Sequence, residues 1–154
     1  MAEKTIAAIC TPLGMGAIAV IRISGDDAVK IADSCFSSAG GKRLCELKGY
    51  QALFGKITEE NGDMIDEAVA LVFKAPHSFT GEDTVELSVH GGTLTARSTL
   101  RRALECGAVM ADHGEFSKRA FLNGKIDLAQ AESIAGMISA KSDEALKMSV
   151  SVKQ

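Results

Sequence analysis

One arginine interrupts an otherwise apolar run and is the first residue whose type suggests chemistry. Arg22 lies in the segment AIAVIRIS at residues 17–24, whose β-branched composition predicts a strand. A guanidinium group is almost never fully buried without a partner. Two interpretations stay open. In the first, Arg22 has a structural role and either pairs with a carboxylate or faces water. In the second, its planar fork of donors anchors an anionic or heteroaromatic ligand.

An acidic residue occupies the polar side of a second predicted strand. In residues 84–90, Val85, Leu87 and Val89 face one way, and Glu86 faces the other. The ordinary interpretation of Glu86 is a solvated acid or a member of a cross-strand pair. The sharper one is that its carboxylate accepts two parallel N–H bonds from the guanidine-like edge of a heterocycle.

Two other polar residues are weaker candidates. Lys125 follows the turn residues Asn123-Gly124, and a lysine beside a turn is usually solvated. It gains a role only if the turn folds back toward the sheet. His90 has no partner that the sequence identifies, so we predict a structural role for it. We predict no catalytic residues and no metal site, because no nucleophile triad or metal-ligand spacing is visible.

Composition narrows the class of protein. The 154 residues include 17 basic and 20 acidic side chains, a formal charge of −3, which disfavours sequence-independent nucleic-acid binding by this chain alone. No apolar run reaches the roughly 18 residues of a membrane helix, and the N-terminus lacks a signal-peptide layout. Four scattered cysteines without zinc-site spacing indicate free thiols in a reducing compartment. We therefore expect a cytoplasmic protein that does not contact a membrane.

The elements that must position these residues follow from hydrophobic periodicity. Strands are predicted over residues 5–10, 17–24, 49–58, 64–73, 84–90 and 109–111, and Asn61-Gly62 predicts a hairpin turn. Helices are predicted over residues 28–36, 93–106 and 116–122, and from Asp127 onward. Ser24 offers a cap for the first of them, and Gln130 stands at the capping-box position of the last. Residues 37–48 are predicted to be a mobile loop. The pattern indicates an α+β fold.

The orientation of the longest of these helices can also be predicted. Within residues 93–106 we expect Leu94, Leu100, Ala103 and Leu104 to point inward. We expect the three arginines of this helix, among them Arg102, to point largely outward. The glycines at Gly14, Gly16 and Gly91-Gly92 predict tight turns, with close approach of a ligand to the backbone as the second interpretation.

Three segments together resemble one family. They are residues 11–25 (TPLGMGAIAVIRISG), residues 78–92 (SFTGEDTVELSVHGG) and residues 114–132 (GEFSKRAFLNGKIDLAQAE). In this order and spacing they resemble the N-terminal part of the MnmE (TrmE) family of tRNA-modification GTPases, over about residues 5–142. Ala17 and Ala19 stand where the family often has glycine, and both are small enough to keep a pocket open.

The resemblance implies a fold and a ligand site. It implies a mixed β-sheet with flanking helices, similar to the tetrahydrofolate-binding domain of aminomethyltransferases. Residues 1–120 would form a tetrahydrofolate-binding and dimerisation domain, and residues 121–154 would begin a central helical domain. The family's contacts to 5-formyl- or 5,10-methylene-tetrahydrofolate carry over onto Arg22, Glu86 and Lys125. The neighbouring glycine loops would line the pocket.

The resemblance also implies the work of a larger protein. Such a GTPase acts with the flavoprotein MnmG (GidA) on carbon 5 of the tRNA wobble uridine (U34), adding a carboxymethylaminomethyl or aminomethyl group. GTP, magnesium and potassium would bind only in a GTPase domain. This chain has no G-x-x-x-x-G-K-[ST] loop, no N-K-x-D motif and no C-terminal cysteine motif, so we expect no GTPase activity from it.

Two alternatives remain at this point. The chain is a pure dimerisation module that has lost folate, or it is a small aminomethyltransferase-like enzyme. Its length of 154 residues leaves little room for the substrate domain of such an enzyme. Folate binding separates the first alternative from the leading hypothesis, and one-carbon transfer by the isolated chain would favour the second.

Overall fold

The computed structural model describes residues 3–12 and 17–134, and within them the chain forms a mixed β-sheet with helices. The strands are β1 (Ile6–Ile9), β2 (Ile18–Ser24), β3 (Phe36–Ser38), β4 (Gln51–Thr58), β5 (Met64–Phe73), β6 (Thr84–His90) and β7 (Val109–Met110). The helices are α1 (Ala28–Cys35), α2 (Thr93–Glu105) and α3 (Glu115–Leu122), with a 3₁₀ turn at Leu44–Glu46. Residues 128–134 are also helical. The predicted α+β class is confirmed.

The strands lie side by side in the order β3-β4-β5-β6-β2-β1-β7. All neighbours are antiparallel except β1 and β7, which are parallel, so the sheet is mixed. The predicted hairpin between β4 and β5 is confirmed, and Gly62 in its turn has φ +92°. This order places β2 and β6 side by side in the interior of the sheet, although 59 residues of chain separate the end of one from the start of the other.

One face of the sheet carries the hydrophobic core. Side chains alternate between the two faces of a strand, so Ile21 and Ile23 of β2 point to the same face as Val85 and Leu87 of β6. All four are fully buried, and they share a cluster with the apolar sides of α1 and α2. The alternation predicted for β6 is therefore confirmed. The even-numbered positions of β2 and β6 point to the opposite face.

The segment predicted to be a mobile loop is partly ordered structure. Phe36, predicted on the face of the first helix, opens strand β3, which pairs with β4. The Asp33 carboxylate accepts hydrogen bonds from the amides of Leu44 at 2.7 Å and Cys45 at 3.1 Å. Leu44 is fully buried. The prediction was wrong because a three-residue edge strand and a single 3₁₀ turn are too short to produce periodicity.

Three side-chain predictions were also wrong. Leu94 is 80% exposed, because it lies in the first turn of α2 and misses the core. Arg102 is buried, since its Nε–H donates to the Thr58 carbonyl at 2.8 Å and its Nη2 to the Ser34 carbonyl at 3.5 Å. Ser24 does not cap α1, because strand β2 continues through it.

The chain divides into two compact units. The first comprises Met1–Ser78 and Glu82–Ala111, and the second comprises Phe79–Gly81 with the chain from Asp112 on. In the second unit the predicted capping box is confirmed: the Asp127 amide donates to Gln130 Oε1 at 2.9 Å, and the Gln130 amide to Asp127 Oδ1 at 2.7 Å. The predicted continuation of this helix toward residue 154 lies outside the described residues. The predicted domain boundary at residues 120/121 stays a prediction.

Candidate functional site

Arg22 and Glu86 meet across the two interior strands. The antiparallel register of β2 and β6 sets them directly opposite each other, on the face turned away from α1 and α2. Arg22 Nε–H donates to Glu86 Oε2 at 3.0 Å, and the two side chains are 22% and 24% exposed. The pair is therefore only partly hydrated. The structural interpretation left open by the sequence, an arginine paired with a carboxylate, is what the structure shows.

The residues flanking this pair are small or apolar. Ala8 of β1 lies opposite Arg22 on its other side, and Leu71 of β5 lies opposite Glu86. Neither can compete for the guanidinium or the carboxylate. On this face the charged pair is consequently flanked by an alanine of β1 and a leucine of β5.

A hydroxyl-rich layer lies one step along the same face. Ser24 is opposite Thr84, and the Ser24 hydroxyl donates to Glu82 Oε1 at 2.8 Å. The Thr84 hydroxyl donates to the Glu82 carbonyl at 3.1 Å. Both hydroxyl residues are buried. Reasoning from the sequence missed this layer. The signal was available, because Ser24 and Arg22 are two residues apart in one strand and must share a face.

A cysteine also lies near the charged pair. The Cys10 amide donates to the Val20 carbonyl at 2.7 Å, which extends the β1–β2 pairing beyond Ile9. Partial dehydration of the Cys10 thiol raises its pKa although the residue is exposed, and the positive charge of Arg22 partly offsets this effect. The thiol is therefore neutral at physiological pH and adds no charge to the site.

Lys125 lies in the second unit. Its amide donates to the Ala120 carbonyl at 2.8 Å, closing the turn after α3, and its side chain is exposed. Gly81 has φ +82°, and a Cβ placed there would be 2.9 Å from Asn123 Cβ and 3.3 Å from Lys125 Cγ. The lysine stem thus lies against the backbone at Gly81. The structure brings Arg22 and Glu86 together in the first unit, and the role of Lys125 stays a prediction.

His90 has a partner that the sequence did not identify. Its Nδ1 lies 3.0 Å from each Asp66 carboxylate oxygen, and its amide donates to Asp66 Oδ2 at 2.8 Å. The two residues lie in neighbouring strands, so only the sheet order reveals the pair. Gly92 begins α2 with extended backbone, and a Cβ there would meet nothing within 4 Å. Gly14 and Gly16 lie outside the described residues.

Several exposed apolar side chains lie farther along this face. Ile18, Phe54 and Val69 are 58%, 56% and 41% exposed, and they line a pocket that His90 and Glu67 border.

Among residues 3–12 and 17–134, no cluster of three metal-ligating side chains occurs. Within the same ranges no helix has the length and apolar character needed to cross a bilayer.

Comparison with known proteins identifies the family. The family model described as the N-terminus of the GTP-binding protein TrmE matches residues 5–125. Three similar relatives carry the name tRNA modification GTPase MnmE. The protein from Symbiobacterium thermophilum is 48% identical over 97% of this chain and 33% of its own length. The protein from Acholeplasma laidlawii is 49% identical over 96% and 32%, and that from Bacillus subtilis 45% over 95% and 32%.

The chain corresponds to only part of each of these relatives. The chain spans about a third of the length of the curated relatives that it matches. The family model covers both Arg22 and Glu86, and it ends at Lys125. The matched region therefore contains all three residues that the family resemblance singles out. This chain belongs to the TrmE N-terminus family, the N-terminal region of the tRNA modification GTPases named MnmE.

Proposed function

We propose that this chain binds a one-carbon tetrahydrofolate and forms a homodimer within a GTPase that modifies carbon 5 of the tRNA wobble uridine. Its family membership supports the link to tRNA modification. The observation that carries the ligand proposal is the Arg22–Glu86 pair on the face of the sheet opposite the helices. The bound folate would supply the one-carbon unit for the modification.

The chemistry of Glu86 fits the ring system of a folate. A pterin presents a ring N–H and an amino group side by side, and a carboxylate can accept both in parallel. A carboxylate has about four acceptor sites, so the bond from Arg22 to Oε2 leaves capacity for both ligand bonds. Arg22 fixes the plane of the carboxylate and places positive charge beside it. Ala8 and Leu71 would flank the ring.

The remaining contacts follow from charge. A folate carries negative charge on its glutamate tail, and Arg22 and Lys125 are the cations that the family resemblance assigns to the ligand. Arg22 would also donate to the pterin oxygen, since a guanidinium offers five N–H donors. Lys125 is exposed and would contribute a point charge without fixed geometry.

The partners of the larger protein belong to the same proposal. GTP with magnesium and potassium would bind outside this chain, which contains no phosphate-loop motif. The flavoprotein MnmG would complete the modifying complex and contact tRNA with it. The net charge of −3 agrees with tRNA binding by the complex as a whole and not by this chain alone.

Calorimetric titration with 5-formyltetrahydrofolate, a stable stand-in for the reactive donor, tests the ligand site. In Glu86→Gln an amide N–H replaces one acceptor, and losing a charge-assisted hydrogen bond costs about 1.5–3 kcal/mol. We expect Kd to rise about 10- to 150-fold. Glu46→Gln, an exposed carboxylate in the 3₁₀ turn, is the matched control and should bind as the wild type does. Wild-type affinity in Glu86→Gln would refute the site.

The exposed apolar side chains of the same face favour the dimer. Replacing Phe54 by Glu places a charge within the apolar pocket lining, so we expect the dimer fraction in sedimentation velocity to fall. Leu94→Glu changes an equally apolar residue that is 80% exposed on α2, and it should leave the dimer intact. Dimers that form without any folate binding would favour the second candidate, a pure dimerisation module.

A further inference from the structure

An exposed tyrosine at one end of the sheet has no part in the proposed function. Tyr50 immediately precedes β4, and its ring packs edge-to-face with that of Phe73, the last residue of β5, with the ring centroids 5.9 Å apart. The His77 ring lies 6.4 Å from the Tyr50 ring at an angle of 46°. Tyr50 is nevertheless 66% exposed. The three rings therefore form an aromatic cluster that is open to solvent.

The backbone holds Tyr50 in a conformation that a tyrosine rarely adopts. Gly49 has φ +102° and Tyr50 has φ +53°, so two consecutive residues have positive φ. Hydrogen bonds fix this turn, since the Tyr50 amide donates to the Val72 carbonyl at 2.7 Å and the Lys48 amide to Gln51 Oε1 at 3.1 Å. Glycine or asparagine would fill the position of Tyr50 with less strain. The strain indicates that the position serves to present an aromatic ring and not only to make a turn.

Two lysines lie on the segments that carry the aromatic cluster. Lys48 is exposed and stands two residues before Tyr50. Lys74 follows Phe73, and its stem lies against the backbone next to Tyr50, because a Cβ placed on Gly49 would be 3.2 Å from Lys74 Cγ. Positive charge is therefore tied to both chain segments beside the exposed ring.

The acidic groups near this cluster balance the charge only in part. Asp83 Oδ1 accepts the Ala75 amide at 2.8 Å, and Glu82 Oε1 accepts the Ser24 hydroxyl at 2.8 Å, so both carboxylates are engaged within the fold. Glu46 in the 3₁₀ turn is exposed and would repel an anion there. The basic surface is therefore local and small, which agrees with weak binding of a polyanion by a chain whose net charge is −3.

An open aromatic ring beside lysines suits an unpaired base of a nucleic acid. Bases stack on aromatic side chains whatever their sequence, and cations neutralise the adjoining phosphates. In an edge-to-face pair, Phe73 covers at most one face of the Tyr50 ring, and His77 is tilted too far to be stacked on it. A planar base can therefore lie parallel to Tyr50.

We propose that Tyr50 stacks on an unpaired base of RNA while Lys48 and Lys74 contact the adjoining phosphates. The choice of RNA rests on the proposed function in tRNA modification. This surface is separate from the Arg22–Glu86 pair, because β5 lies between β4 and β6 in the sheet. The surface supplies one contact to an RNA that the larger complex holds. For the chain alone we expect a Kd of about 100 μM at low salt.

Intrinsic fluorescence tests the stacking directly. The chain contains one tyrosine and no tryptophan, so its intrinsic emission reports Tyr50 alone. Titration of the full chain with a short unstructured oligoribonucleotide, corrected for absorption with free tyrosine amide, should quench this emission in a saturable way. An abasic oligomer of the same length and charge is the control and should not quench it. Equal quenching by the abasic oligomer, or none by the oligoribonucleotide, would overturn the proposal.

The variant Tyr50→Asn separates stacking from folding. Asparagine tolerates positive φ, so the turn should remain, and far-ultraviolet circular dichroism should be that of the wild type. A stacked base accounts for about a 5- to 150-fold change in Kd, and we expect that loss in the anisotropy of a labelled oligoribonucleotide. Tyr50→Phe keeps a ring and should bind as the wild type does. Wild-type affinity in Tyr50→Asn, or duplex RNA that binds as tightly as the single strand, would contradict stacking.

The salt dependence of binding tests the two lysines. Lys48→Gln and Lys74→Gln should each lower the slope of log K against log salt by about 0.7, the value for one phosphate contact on a single strand. Lys30→Gln changes an exposed lysine of α1 and should leave the slope unchanged. Equal slopes in all four proteins would refute the phosphate contacts.

The two proposals fail separately. Tyr50→Asn should retain the wild-type affinity for 5-formyltetrahydrofolate, because Tyr50 lies outside the Arg22–Glu86 site. Glu86→Gln should likewise retain RNA binding. A loss of RNA binding in Glu86→Gln that equals the loss in Tyr50→Asn would overturn the assignment of this surface.

Discussion

Breaking the Arg22–Glu86 pair should cost a measurable but modest amount of stability. Opposite unit charges about 4 Å apart attract by roughly 4 kcal/mol at the effective dielectric constant of 20 that suits such sites. Dehydration of two groups that are 22% and 24% exposed offsets part of this attraction. We therefore expect Arg22→Met to lower the free energy of unfolding by about 1–2 kcal/mol. This lies between the contribution of an exposed ion pair and that of a charge-assisted hydrogen bond.

A double-mutant cycle isolates the interaction from the individual side chains. Urea unfolding of Arg22→Met, Glu86→Gln and the double variant gives their coupling energy, for which we expect about 1 kcal/mol. A control cycle on Arg101 and Glu105 of α2, whose side chains are 44% and 46% exposed, should give a smaller coupling energy. Arg101 also pairs with Glu59, and the cycle separates that contact from the Arg101–Glu105 coupling. Distant, independent sites show coupling energies up to roughly 0.3–0.5 kcal/mol. A value in that range for Arg22 and Glu86 would show that their hydrogen bond does not stabilise the fold.

The same cycle, repeated with 5-formyltetrahydrofolate, distinguishes a structural pair from a ligand site. A ligand at 100 times its Kd stabilises the folded state by about 2.7 kcal/mol. We expect that gain in the wild type and its reduction in both single variants, because Arg22 holds the Glu86 carboxylate in place. An equal gain in all four proteins would show that the pair serves folding alone.

Two further predictions concern the backbone and the thiols. Gly25→Ala should unfold at a markedly lower urea concentration than the wild type, because Gly25 has φ +141° and a Cβ there would lie 2.6 Å from Thr5 Oγ1. Gly62→Ala is the control: Gly62 also has a positive φ, but a Cβ there would meet no atom within 4 Å, so only the backbone strain remains. Alkylation of Cys106 by iodoacetamide should rise with pH through a midpoint near 7, since its pKa is lowered to about 7. In Cys35→Ala that midpoint should move upward, because the side-chain hydrogen bond from Cys35 is the main effect that lowers the Cys106 pKa. An unchanged pH profile would show that this hydrogen bond is not the cause.

Local features of the fold were predictable from the sequence. The Asp127–Gln130 capping box and the Asn61-Gly62 hairpin depend on residues within four positions of one another, and both are confirmed. The alternation in β6 was likewise visible, because burial on one face imposes a period of two on the sequence.

Pairings between distant segments were not predictable. Arg22 and Glu86 were each recognised as polar residues in predicted strands, but their contact depends on β6 lying next to β2 and not next to β7. The Asp66–His90 contact depends in the same way on β5 lying beside β6. Arg102 was placed outward because helical periodicity does not show the two carbonyl groups that its guanidinium satisfies.

The position of the charged pair argues for a chemical role beyond stability. Replacing a buried or partly buried ion pair by apolar side chains of similar size is often neutral or stabilising, so folding alone does not require Arg22 and Glu86 at the middle of a seven-stranded sheet. The neighbouring Ala8 and Leu71 already show that apolar residues are accommodated on this face. A carboxylate held at 3.0 Å by a guanidinium, with Ala8 and Leu71 on either side, would suit the proposed recognition of a planar ring with adjacent N–H donors.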